Sequence, residues 1–386
     1  MISIINKKRI LWVVFDFVQA GGQRYVYEIC KALDRTAYEL HFLRATSYGH
    51  DTNWDVEHYH SKTTELGCEI FLLEDILSSR NEFNRTSRSV FPHLSLRKNR
   101  YQEQINLTSF FAMYDIVNFS GVGVYDLVCN NYNVHPTNSL IHVLTAKFQD
   151  EKMYDNYRKD LPYHFVCATP IEFLSEELSD FTNFKYTYFP LSFDTDGYKT
   201  LITNEAKKGA FQIALFTRLS PLKPLDPFFY AIKLLHEVGL NVNLNVFGAG
   251  NPKELGLTRQ LAYLHIKEIV DFKGHVKSIQ DTLQSNPPDQ IWFQAANGQP
   301  GGYAALETCL TGLPHLFWEF ANIGNDDTEG AIRTFTKLHD FVETSEHLLN
   351  DKKAALSLGF QQQKYVRQAH SINNHIHILE KIFNAF

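Results

Sequence analysis

Short strand-like runs, mainly apolar, recur along this chain and alternate with turns and helical patterns. Residues 10–17 are almost continuously apolar. A strand that is apolar on both faces belongs in a parallel sheet covered on both sides. Further strands are expected at 38–43, 69–73, 116–119, 140–146 and 164–168. The pattern restarts at 211–219 and continues through 242–247, 269–272, 291–293 and 316–318. Strands alternating with helices predict doubly wound α/β architecture, and the restart predicts that it occurs twice.

The length of 386 residues suits two domains, and 44% apolar residues suffice for a core in each. The polar stretch 199–208 is placed at the junction. The expected domains are 1–195, 196–365, and a terminal helical segment 366–386. A formal net charge of −6 carries no nucleic-acid signature. The five cysteines have no CxxC spacing and fall in apolar or helical patterns, which points to buried thiols in a reducing, cytoplasmic setting. The apolar start ends at Asp16 without a small-residue cleavage site, so it reads as a first strand rather than a signal peptide. No apolar run is long enough to span a bilayer.

The densest chemistry lies at 289–318. An apolar run leads into Asn297-Gly298-Gln299-Pro300-Gly301-Gly302, and a helical pattern opens at Tyr303 and stops at Gly312 and Pro314. A Gly-rich loop before a helix N-terminus suits an anion, because free N–H groups and the helix dipole point at it. The turn Ala20-Gly21-Gly22 repeats the arrangement near the start, without the spacing of a dinucleotide fingerprint. Arg218, Lys223, the Gly248-Ala249-Gly250 turn and the Gly274-His275-Val276 turn also follow successive strands. Ligands of open α/β sheets bind beyond the carboxyl ends of strands, so these groups are expected to converge. A planar Arg fork beside a mobile Lys suits a diphosphate. Glu307, about one turn into the helix, can accept hydrogen bonds from ribose hydroxyls.

Three other features have simpler readings. Asp194-Thr195-Asp196 has the spacing of a cation-binding pair, but a turn or cap is its simpler role. His370, His375 and His377 have no carboxylate or Cys spaced to complete a metal site. Residues 80–100 carry Arg80, Arg85, Arg88, Arg97, Lys98 and Arg100 against Glu82 alone. That stretch is either a solvated loop or a surface for an anionic acceptor or membrane face.

The second half resembles the retaining glycosyltransferases of the GT-B fold, in the large bacterial group that uses nucleotide-sugars. The matching residues are Arg218 and Lys223, with Pro224 where the family has Gly; Gly248 and Gly250; Phe272 and Gly274; and Gly302, Glu307, Gly312 and Pro314. The first signature Glu falls at Gln299. Gly21-Gly22, Asp115-Ile116-Val117, Phe189-Pro190 and Asp194 extend the likeness over nearly the whole chain.

The resemblance implies two Rossmann-like doubly wound parallel-sheet domains facing across a cleft, with the last helix leaning back on the first domain. It implies metal-independent, retaining transfer from a nucleotide-sugar, most often a UDP-sugar, to a glycan, lipid-linked or other surface-polysaccharide acceptor. Arg218, Lys223 and Gln299 would take the catalytic positions. Gly21, Gly22, Gly248, Gly250, Gly274, His275, Val276, Gly301, Gly302, Tyr303 and Glu307 would hold the donor. No cofactor and no nucleic acid is expected, and contact with the inner membrane face would run through 80–100. The family also often carries a His at the end of a first-domain strand; by position the strand 140–146 leads here to Lys147, with His142 inside it. Because Gln299 lacks the negative charge, the alternative is a non-catalytic, glycosyltransferase-like partner or glycan-binding subunit.

Overall fold

The computed structural model describes residues 7–46, 57–78, 92–144, 157–168, 178–179, 181–201, 209–221, 223, 225–285, 292–297, 302–318 and 330–386, with side chains for all but 92–99 and 292–297. The chain forms two compact units: Met1–Phe193 with Ile372–Phe386, and Asp194–Ser371.

The first unit holds β1 (Lys8–Val14), β2 (Tyr38–Arg44), β3 (Glu69–Leu72), β4 (Ile116–Phe119), β5 (Ser139–Val143), β6 (Tyr163–Cys167) and β7 (Phe184–Tyr188). They pair in parallel in the order β3-β2-β1-β4-β5-β6-β7. Leu11, Trp12 and Val13 are successive residues on alternate faces of β1, and all three are fully buried. That two-sided burial is what the unbroken apolar run encodes. β1 stops at Val14 rather than continuing to 17. The Asp16 carboxylate accepts hydrogen bonds from Gln23 Nε2 at 2.6 Å and from the Val18 N–H at 3.4 Å, which bends the chain into the helix Gly21–Ala32.

The terminal helical stretch divides. The helix Lys352–Ala369 belongs to the second unit and the helix Ile372–Ala385 to the first, with His370 and Ser371 between them. Leu379 and Phe383 are fully buried, and the Phe383 ring meets Tyr38 at 5.8 Å. Lys8 Nζ donates to the Phe383 carbonyl at 2.8 Å.

The second unit contains β8 (Phe211–Phe216), β9 (Val242–Phe247), β10 (Val270–Gly274), β11 (Trp292–Asn297), β12 (His315–Trp318) and β13 (Thr334–Phe335). Their order, β10-β9-β8-β11-β12-β13, repeats that of the first sheet, again all parallel. Leu215, Val246 and Leu316 belong to one buried core cluster with Phe228 and Phe229 of the helix Asp226–Glu237. The helix Ile279–Gln284 starts where Ser278 caps it by accepting from the Asp281 N–H at 3.1 Å.

Candidate active site

In the second unit the strand order reverses between β8 and β11, and the crevice rule puts a ligand at the carboxyl edge there. Backbone hydrogen bonds continue past the strand ends at that edge. The Thr217 N–H donates to the Phe247 carbonyl at 2.9 Å and the Leu219 N–H to the Ala249 carbonyl at 2.8 Å. The Gly248 N–H donates to the Gly274 carbonyl at 2.9 Å. The loops after β8, β9 and β10 therefore form one hydrogen-bonded platform, and Arg218 lies in its middle.

The glycines of this platform are sites of close approach. A Cβ on Gly248 would lie 1.7 Å from the Thr217 carbonyl oxygen, and one on Gly250 would lie 2.6 Å from the Leu219 oxygen. Gly250 (φ +125°) and Gly274 (φ +76°) also sit in left-handed backbone. Below the platform, the Phe216 and Phe247 rings stack at 4.8 Å and join Leu283 and Leu313 in a small apolar cluster. Val276 and Ala304 pack against that cluster, so Val276 serves as floor, while His275 beside it is exposed.

Arg218 is exposed and Lys223 is half-buried on the turn closed by the Lys223 N–H and the Ser220 carbonyl. Burial lowers the Lys223 pKa below the usual lysine range, and the Arg218 charge lowers it further. No carboxylate pairs with Lys223 among the described residues. Two neighbouring cations, one of them partly desolvated, repel each other and are relieved by an anion.

The helix after β11, Tyr303–Leu310, is capped by Gly302, which is exposed in extended backbone with open space around it. Tyr303 is buried and Glu307 half-buried. The Tyr198 hydroxyl donates to Glu307 Oε1. Nothing in the sequence marked Tyr198, a single aromatic in a polar stretch 109 positions from its partner.

Gln299 and Gly301 lie outside the described residues. Gly21 and Gly22 open the helix after β1 in the first unit, with Gly21 exposed and Gly22 half-buried. Of the basic stretch, 80–91 lies outside the described residues, and the helix Pro92–Phe111 carries the rest. Asp194 and Asp196 form a turn in which the Asp196 N–H donates to Asp194 Oδ1 at 3.2 Å.

His142 is a core residue. It is fully buried on β5, with Nδ1 2.9 Å from the Tyr25 hydroxyl and Nε2 3.0 Å from Asn118 Oδ1. The amide oxygen can only accept, so Nε2 carries the proton and Nδ1 accepts from Tyr25. Burial, with a smaller push from His164, lowers its pKa to about 3.

No family model matches the sequence, and no curated protein matches it. Solved structures do match over the whole length. HepE from Anabaena in complex with UDP-glucose superposes with a TM-score of 0.67 at 11% identity, covering 98% of this chain and 100% of that one. Sucrose-phosphate synthase from Thermosynechococcus elongatus gives 0.69 at 11% identity, over 98% and 99%. A mutant of TarM from S. aureus, in complex with fondaparinux, α-GlcNAc-glycerol and UDP, gives 0.64 at 10% identity, over 98% and 100%. The fold of this chain is GT-B: mixed α/β with two parallel Rossmann-like sheets.

Proposed function

We propose that the protein transfers a sugar from a nucleotide-sugar, with retention at the anomeric carbon and without a metal ion. The observation that carries this reading is the Arg218–Lys223 cation pair on a loop hydrogen-bonded to the Phe247 and Ala249 carbonyls, with Gly248 and Gly250 closely packed against it, at the strand-order reversal. The bond from the anomeric carbon to the diphosphate oxygen breaks in the transfer, and its electron pair stays with the diphosphate. A bidentate Arg fork, a Lys point charge and N–H groups at Gly302 and Tyr303 would stabilise that growing charge electrostatically. Glu307 would accept from the ribose. Solved neighbours of the same fold carry UDP or UDP-glucose, which supports UDP as the first nucleotide to test.

The checking experiment is calorimetric binding of UDP-, GDP- and dTDP-sugars, followed by turnover in Arg218→Ala, with and without EDTA. Loss of a transition-state contact of this kind costs on the order of 3 kcal/mol, about a hundredfold in rate. Arg218→Lys is expected to recover only part of it. Normal nucleotide binding and turnover in Arg218→Ala, or activity abolished by EDTA, would refute the assignment. A wild type that binds donor but never turns over would make the protein the non-catalytic partner, and Gln299→Glu is then the informative reversal.

On the acceptor side, the reading assigns the first unit and its basic stretch to an anionic, lipid-linked or polysaccharide acceptor. Tyr101 (67% exposed) and Ile105 (40%) stand one turn apart on the helix Pro92–Phe111, beside exposed Arg100. Reversing Arg85 and Arg88 to Glu is expected to weaken binding to anionic liposomes and leave donor affinity unchanged. Unchanged liposome binding would return the stretch to a solvated loop.

A further inference from the structure

Tyr198 stands just inside the second unit, on a segment fastened along its length. Arg367 Nη2 donates to the Tyr198 carbonyl at 2.9 Å, and the Leu201 N–H donates to the Thr311 carbonyl at 2.8 Å. Between them, Gln363 Nε2 bridges Thr200 Oγ1 at 2.8 Å and the Leu310 carbonyl at 2.6 Å. This strap carries the phenol to the helix Tyr303–Leu310, where its hydroxyl donates to Glu307 Oε1. Glu307 lies one turn beyond the helix N-terminus that would face a diphosphate.

A phenolic O–H and a ribose O–H present the same group to a carboxylate: one short donor on a carbon frame. The Tyr198 hydroxyl therefore occupies the acceptor that a bound ribose would use. We infer that Tyr198 competes with the ribose for Glu307 and thereby sets how strongly the site selects a ribose diol. This rests on the nucleotide reading given above. A vicinal diol offers a carboxylate two donors and displaces the single phenol. A sugar without that diol leaves the phenol in place, so the tyrosine costs affinity for ribonucleotides alone and narrows the margin by which the site prefers them over ligands that bring only a base and a diphosphate.

The experiment compares wild type with Tyr198→Phe, which keeps the ring and removes the hydroxyl. Each is titrated calorimetrically with UDP and with 2′,3′-dideoxy-UDP. Tyr198→Phe is expected to bind UDP about threefold to tenfold more tightly, the range of one net hydrogen bond, and dideoxy-UDP with unchanged affinity. In a Glu307→Gln background the same substitution is expected to shift UDP affinity less than twofold, because the shared acceptor has lost its charge. Weaker UDP binding in Tyr198→Phe would mean that the hydroxyl positions the carboxylate for the ligand, and the competition model falls. Equal shifts for both probes would mean a structural contact, and it falls again. If wild type binds UDP in an Arg218-dependent way but Tyr198→Phe changes nothing, only this inference fails. If wild type binds neither probe, the nucleotide reading fails and takes the inference with it.

Discussion

The two sheets run in the same strand order, yet their polar groups are deployed in opposite ways. In the first unit, His142 is buried between Tyr25 of the helix Gly21–Ala32 and Asn118 of β4, and its two ring nitrogens are engaged by the Tyr25 hydroxyl and the Asn118 Oδ1. In the second, the cations Arg218 and Lys223 stand beside each other on a platform of backbone. Topology brings the same edge together in both, so topology alone does not choose the site. What differs is where the polar groups lie: in the buried core in the first unit, and at exposed or half-buried loop positions in the second.

The glycine turns sharpen this contrast and give its largest expected effect. Gly248→Ala places a methyl 1.7 Å from a backbone oxygen, where no flexible side chain can yield. The strand ends must separate, at a cost of about 3 kcal/mol, near the upper end for overpacking. Hydrogen exchange should rise in β8 and β9 and stay unchanged in the first unit. Gly22→Ala is the matched control. A Cβ there meets only Leu144 Cδ1 at 3.6 Å, an ordinary contact on a helix, so stability is expected to hold or rise by up to about 1 kcal/mol. If Gly22→Ala is as stable as wild type and also turns over normally, Gly21 and Gly22 lose their assigned place in the donor site. If Gly248→Ala is tolerated, the platform is not the rigid element described.

Much of this was legible in the sequence because two-sided burial writes continuous apolar runs, and 10–13 and 213–216 could be read directly. The Gly-x-Gly after β9 was legible because a backbone carbonyl against a Cα admits no side chain. What escaped depends on contacts distant in sequence or on single caps. Tyr198 finds Glu307 only once the strap is laid over two helices. Ser278 sets the helix start at Ile279 by a single cap. The end of the chain reads as helix throughout, yet it breaks at His370 and Ser371, where the chain crosses between units. His142 drew notice only through the family resemblance, and its partners, Tyr25 and Asn118, lie 117 and 24 positions away.

The remaining difference between the units is their response to acid, with a smaller expected effect. His142 and His315 are both held neutral by burial, each with its pKa lowered to about 3, and His164 of the first unit is lowered to about 4. A depressed folded-state pKa means that the unfolded chain binds more protons between that value and about 6.5. The neutral imidazoles thus give full stability above pH 6.5, and that stability is lost as pH falls toward 3. At pH 5, one fully buried imidazole accounts for about 2 kcal/mol, from about 1.4 kcal/mol per pH unit. Three such groups in the first unit, counting His135, whose pKa burial also lowers, against one in the second, among the described residues, make the first unit the earlier to open. Hydrogen exchange resolved by segment, at pH 7 and pH 5, is expected to show β4–β6 losing more protection than β11 and β12. His142→Gln keeps an acceptor for Tyr25 and a donor for Asn118 without a titrating proton, so it should flatten the acid response of the first unit alone. An equal loss of protection in both units, or an unflattened response in His142→Gln, would show that the buried imidazole network does not govern how the first unit meets acid.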